Sequence, residues 1–189
     1  VLLYVIFKNN KIKEALVIIA LLGLVIALAD QISSGICKPF FARFRPTQDP
    51  ELMYQIDIVN GYRGGTYGFI SSHAANTFGV AVFLTLIFKS GSLAIILFIW
   101  AILNAFSRIY LGVHYPGGIL FGTLVGVGTG ILIYMIYKKL QQKLLKQANF
   151  ISNQYTSSGY LISDIQLILT VFYLTIFYVM IRGMIITLY

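Results

Sequence analysis

The chain has 189 residues, of which 58% are hydrophobic and only 11% charged, and its mean hydropathy is +0.84. A soluble domain of this size needs far more polar surface, so a soluble globular enzyme is excluded and a polytopic membrane protein indicated. The net charge of +8 would point to nucleic acid in a soluble protein, but here it sits in short loops between apolar runs, where basic residues report topology.

Residues 1–7, VLLYVIF, are apolar but too short to span a bilayer, and read as the tail of an earlier span with further sequence expected upstream. Spans are expected at 12–36, 71–89, 92–110, 117–137 and 161–182, which makes the fold class an all-α polytopic transmembrane helix bundle. Parity then sorts the cations. One side receives Lys8, Lys11, Lys13, Lys89, Lys138, Lys139, Lys143 and Lys146, all lysines in short loops, as expected of a cytoplasmic face. The other receives Lys38, Arg43, Arg45, Arg63, Arg108 and Arg182, against the usual bias. Arginine's planar fork suits phosphate or carboxylate, so an outward arginine cluster calls for an anionic partner.

The first span leads to KPFFARFRP, Lys38 to Pro46. Pro39 is placed to open a short helix and Pro46 to end it. Seven residues is nearly two turns, so Lys38 and Arg45 are expected on one face, able to share one phosphate dianion, with Arg43 pointing elsewhere. The alternative is a pair of snorkelling anchors. Cys37, the single cysteine, allows no internal disulfide and reads as a buried small apolar residue. Asp30 is the only acid well inside a span, a functional candidate by default.

Segment 47–70 contains NGYRGGTYG, read as a mobile flap with Arg63 reaching a second phosphate or a sugar headgroup, or else as a surface turn cluster. In YGFISSHAANTFG, Ser71 or Ser72 is a plausible N-cap. The free N–H groups and dipole at such a helix start form an anion site, and His73 in the first turn can donate a proton. In SRIYLGVHYPGG, Arg108 lies near the outer end of its span and Pro116 starts the next helix. His114 lies between them, where a neutral imidazole can attack phosphorus. Phosphoryl transfer is mostly positioning and charge stabilisation, so Lys38, Arg45, Arg108, His73 and His114 supply most of what it needs. No carboxylate cluster is present to hold two metals, and a serine nucleophile at Ser71 or Ser72 lacks a base and orienter. Gly118, Gly122, Gly126 and Gly130 recur every four residues, a ribbon for close helix packing. KKLQQKLLKQANF, 138–150, reads as a helix end on anionic lipid.

These three stretches resemble the signatures of the type 2 phosphatidic acid phosphatase (PAP2) family, K-x6-RP, PSGH and SR-x5-H-x3-D. They stand here as Lys38…Arg45-Pro46, Ile70-Ser71-Ser72-His73 and Ser107-Arg108…His114. The resemblance covers roughly 12–137, the last four of the family's usual six helices. It implies a catalytic domain over 1–146, incomplete at its N-terminus, and a linker with an additional C-terminal span over 147–189. It further implies phosphate binding by Lys38, Arg45, Arg108, Ser71 and the Ser72 backbone, protonation of the leaving alcohol by His73, and a phosphohistidine at His114. The family's final aspartate falls at 118, where this chain has Gly118, so attenuated turnover is expected. An engineered change, a natural divergence with another orienter such as Asp30 (which could equally pair with Lys38), and a pseudoenzyme all remain open.

NGYRGGTYGFISSHAAN is also similar to phosphatases of Bacteroidetes-like bacteria that act on lipid A. The substrate is expected to be an amphiphilic lipid phosphate of the lipid A, undecaprenyl diphosphate or phosphatidylglycerol phosphate type. The expected setting is a bacterial inner membrane with the site facing the periplasm, and the expected partners are membrane lipids. No cofactor, metal, nucleic acid or obligate protein partner is expected. A non-enzymatic lipid-phosphate binder or transporter is the competing reading.

Overall fold

In a computed structural model that describes residues 1–144 and 153–188, the chain is an all-α polytopic bundle. Among these residues seven α-helices follow in order: α1 (Leu2–Asn9), α2 (Ile12–Asp30), α3 (Lys38–Phe41), α4 (Ser72–Phe88), α5 (Gly91–Tyr110), α6 (Pro116–Leu144) and α7 (Ile162–Leu188). Short 3₁₀ turns at Pro46–Gln48 and Val59–Gly61 punctuate the long connection between α3 and α4. Among the described residues, four helical stretches are long and apolar enough to cross a membrane: Ile12–Phe41, Gly91–Tyr110, Pro116–Gln142 and Ile162–Ile185. α4 has 17 residues, about 25 Å of helix, slightly short of the hydrocarbon thickness. It is the central helix, packed against α2, α5 and α6, and so it needs no lipid face of its own.

The first expected span, 12–36, is longer in the structure because α2 continues into α3 through a π-helical segment, Gln31–Cys37. Ser33 donates to Ala29 O at 2.7 Å and to Asp30 O at 3.3 Å, so its hydroxyl occupies carbonyls that the α-ladder would use. Such competition loosens the regular turn, and the wider π register follows it. Cys37, expected to be buried, is half-exposed in this segment.

The glycine ribbon of α6 faces α4. A Cβ at Gly122 would strike the Ser71 carbonyl oxygen, and one at Gly126 would strike that of Ala75. One at Gly130 would come 2.8 Å from Gly79 O. Between apolar helices in lipid, such close backbone approach is what holds them together, since lipid tails are as apolar as leucine. The remaining core (Val5, Ile6, Ile18, Val25, Phe83, Phe88 and Ile133) lies towards the other end of the bundle. There Lys8 pairs with Asp164 at 2.7 Å, Asn9 donates to the same carboxylate at 2.8 Å, and α7 is tied to α1. The expected lipid-surface helix end at 138–150 and the division near 146 fall partly or wholly on 145–152, outside the described residues.

Candidate active site

The site lies where α3, α4 and α6 meet, at the end of the bundle opposite Lys8 and Asp164. Three loops assemble it.

The first contribution comes from α2 and its continuation. Lys38 Nζ donates to Ser34 Oγ at 2.8 Å and to Ser72 Oγ at 3.1 Å, and Ser34 Oγ donates to Asp30 Oδ1 at 3.1 Å. Asp30 therefore steadies Lys38 through Ser34, four residues at a time along one helical face. Of the two readings of Asp30, orienter of His114 or partner of Lys38, these hydrogen bonds agree with the second.

The expected helix from Pro39 to Pro46 stops early. Ala42 adopts a left-handed conformation (φ 43°) after Phe41, and its N–H caps the Lys38 carbonyl at 3.0 Å. Lys38 and Arg45 consequently do not share a helical face. They approach each other because the chain folds back, with Phe44 bridging to Tyr67 and Arg45 N donating to Thr66 O at 3.1 Å. Arg43, expected to point away, lies over the Tyr115 ring at 4.2 Å.

The expected flap is tethered. Thr47 Oγ1 donates to Arg63 O at 2.8 Å and Arg63 Nη1 donates to Thr47 O at 3.0 Å. One nitrogen of the Arg63 guanidinium, expected to reach towards a second phosphate or a sugar headgroup, thus helps to close this loop.

At the start of α4, Ser71 is the N-cap, fully buried, with Oγ accepting from Ala74 N at 3.3 Å. That geometry turns its hydroxyl into the helix and away from a nucleophile's task. Ser71 N donates to Gly118 O at 3.0 Å, joining the two helix starts. Ser72 meets Lys38, and His73 is exposed in the first turn, within electrostatic reach of Arg108, Lys38, Arg45 and Asp30.

The third contribution is the α5–α6 turn. Gly112 makes it possible: φ is +64°, and a Cβ there would come 2.9 Å from Ile56 Cγ2. Arg108 Nε donates to Ser107 Oγ at 3.2 Å. His114, only 3% exposed, has its Nδ1 2.6 Å from Gly68 O and its Nε2 3.3 Å from Arg45 Nη1, which also donates to Val113 O at 3.2 Å. Burial, followed by the Arg45 charge, pushes its pKa down to about 3, so the ring is neutral across the physiological range. Tyr115 Oη donates to Asp49 Oδ2 at 2.9 Å, bracing the residue after the histidine.

Lys38 and Arg45 repel each other, as do Arg45 and Arg108, and Arg45 Nε is buried with no partner among the described residues. Cations held this close, with the Asp30 carboxylate set back behind Ser34, suit an anion. Beside it, Phe40, Phe41, Phe69 and Phe121 make a continuous chain of ring contacts at 4.8–5.6 Å. A hollow of about 360 Å³ lined by Phe41, Arg43 and Phe69 opens there. Sequence reasoning missed Gly68, Asp49 and Ser34; a backbone carbonyl carries no side-chain signature, and the other two read as ordinary polar residues.

Two curated proteins are similar to this chain. The lipid A 4'-phosphatase of Bacteroides thetaiotaomicron is 42% identical over 147 residues, covering 76% of this chain and 64% of that protein. The lipid A 4'-phosphatase of Porphyromonas gingivalis is 40% identical over 135 residues, covering 71% of this chain and 57% of that protein. The chain thus spans about three-fifths of the length of the curated relatives it matches. No solved structure matches it. The PAP2 superfamily model matches residues 15–142, the stretch that carries all three loops of the site, and the chain belongs to that superfamily.

Proposed function

We propose that the chain is a membrane lipid phosphatase that cleaves a phosphate monoester of a lipid A-type substrate. The observation that carries the reading is the convergence of Lys38, Arg45 and Arg108 on two histidines, beside an exposed aromatic wall. The cations would bind the phosphate oxygens, the N–H groups at the start of α4 would add donors, and acyl chains would lie along Phe41 and Phe69. The names of the two relatives support lipid A over other lipid phosphates. The lysine-rich loops at the opposite end support a site facing the periplasm of a bacterial inner membrane.

The positions of the two imidazoles support the following reaction. His114 Nε2 uses its lone pair to attack phosphorus, an N–P bond forms, and the P–O bond to the lipid breaks. His73, exposed at the mouth of the site and carrying a proton once the phosphate dianion offsets the neighbouring cations, gives that proton to the leaving alkoxide. Water then attacks phosphorus and gives a proton to the now neutral His73. The N–P bond breaks, and inorganic phosphate leaves with His114 neutral again. Gly118 supplies no charge to stabilise the ring cation of the intermediate, so turnover is lower than a carboxylate there would give.

Gly118 also favours a second reading, a lipid-phosphate binder that has lost turnover. Phosphate release in bilayers from lipid A, undecaprenyl diphosphate and phosphatidylglycerol phosphate separates the two. Release from lipid A ahead of the others supports the proposal. Tight binding of lipid A with no release of phosphate refutes it and leaves the binder.

A further inference from the structure

We infer that the main-chain carbonyl of Gly68 is the orienting group of His114, in the place that an acid at position 118 would take. The consequence for turnover rests on the phosphatase reading above, whereas the geometry stands by itself. Gly68 O lies 2.6 Å from Nδ1, and a carbonyl only accepts, so the proton sits on Nδ1. Arg45 Nη1 lies 3.3 Å from Nε2, and a guanidinium only donates, so Nε2 keeps its lone pair. A donor-only and an acceptor-only neighbour thus select the same neutral tautomer, the one whose lone pair faces the cations.

The peptide at Gly68 is itself fixed. Its N–H donates to Arg43 O at 2.9 Å, and the Phe44–Tyr67 bridge lies immediately before it. A Cβ at Gly68 would come 2.7 Å from Arg45 Cγ and 3.2 Å from Val113 O, so only glycine lets this segment lie this close to both the arginine and the histidine loop. One short piece of backbone therefore sets the phosphate-binding Arg45 and the orientation of the nucleophile together. Both Gly68 and His114 are buried, which keeps water from competing for Nδ1. At Gly118 a Cβ would stand 4.0 Å from His114 Nδ1 and 3.6 Å from Gly68 O, in ordinary contact. A carboxylate built there would reach the same ring nitrogen. The carbonyl reproduces its directional role and omits its charge.

The chain holds two histidines, so ¹⁵N-histidine NMR of the protein in nanodiscs resolves them, with His73→Asn giving the assignment. The expected parent spectrum has His114 protonated at Nδ1 and bare at Nε2. Gly68→Ala should give mixed tautomers and at least a tenfold loss of phosphate release. Adding Gly118→Asp to Gly68→Ala should restore the single tautomer and recover at least tenfold in turnover, which a merely structural role for Gly68 would not allow. Should Gly68→Ala fail to fold, Gly118→Asp alone decides: the Nδ1 proton signal should move downfield as a carboxylate replaces the carbonyl. A parent ring protonated at Nε2, a Gly68→Ala ring that keeps one tautomer, or an Nδ1 signal unmoved by Gly118→Asp would each overturn the inference. If no lipid phosphate is hydrolysed while the tautomer behaves as expected, the phosphatase reading falls and this one stands.

Discussion

Replacing Arg45 by glutamine tests the link between the phosphate cradle and the nucleophile. In the structure one Arg45 nitrogen stands 3.3 Å from His114 Nε2 and 3.2 Å from Val113 O, while its Nε is buried without a partner. With Arg45 binding phosphate as proposed, Arg45→Gln removes one charge-assisted hydrogen bond to a phosphate oxygen, worth about 1.5–3 kcal/mol. That converts to a fall in kcat/KM of about 10- to 150-fold. The same change removes the Arg45 charge, the second cause after burial of the low pKa of His114, so that pKa should rise from about 3. Both effects are measurable in nanodiscs, the first as phosphate release across a substrate series and the second by ¹⁵N-histidine NMR titration. Unchanged kcat/KM together with an unmoved titration would refute the reasoning, because it would place Arg45 outside the site.

His114 also predicts a pH dependence of stability. Its folded pKa of about 3 lies below the usual value of 6.5, so the unfolded chain binds the proton more readily. Stability is then full above pH 6.5 and falls as pH drops towards 3, by up to roughly 4 kcal/mol, and thermal unfolding between those limits should show His114→Asn losing less. Gly126→Ala would press a Cβ against the Ala75 carbonyl of α4, so it should cost about 1–3 kcal/mol in reversible unfolding in micelles. A neutral result there would mean that α4 and α6 are not in backbone contact. Asp30→Asn and Ser34→Ala both release Lys38 from its positioning chain, and each should raise KM several-fold with a smaller effect on kcat. Equal loss in kcat alone would assign Asp30 a different task.

Periodicity and spacing carried most of the bundle and the cast of the site. Apolar runs of membrane length located the helices, and the four-residue glycine period on α6 announced the contact with α4. Lys38, Arg45, His73, Arg108 and His114 were legible as candidates because six cations fall on that side of the bundle and the chain holds two histidines. Their mutual arrangement was less so. The left-handed residue that separates Lys38 from Arg45 is an alanine, Ala42, which gives no turn signal. The π-helical segment depends on how the Ser33 hydroxyl competes for carbonyls, a choice that composition does not reveal. Arg63 looked available for substrate because a glycine-rich stretch reads as mobile, whereas two hydrogen bonds with Thr47 close the loop. The missing acid at 118 drew attention to side chains, and the partner of His114 turned out to be main chain at Gly68.

The central claim is that His114 carries the phosphoryl group. Rapid acid-free quenching of the membrane-embedded protein with ³²P-labelled lipid A tests it directly. Alkali-stable, acid-labile label should appear on the protein within one turnover, map to the peptide containing His114, and vanish in His114→Asn together with phosphate release. Phosphate released at the parental rate by His114→Asn, with no label retained by the parent, would contradict the account.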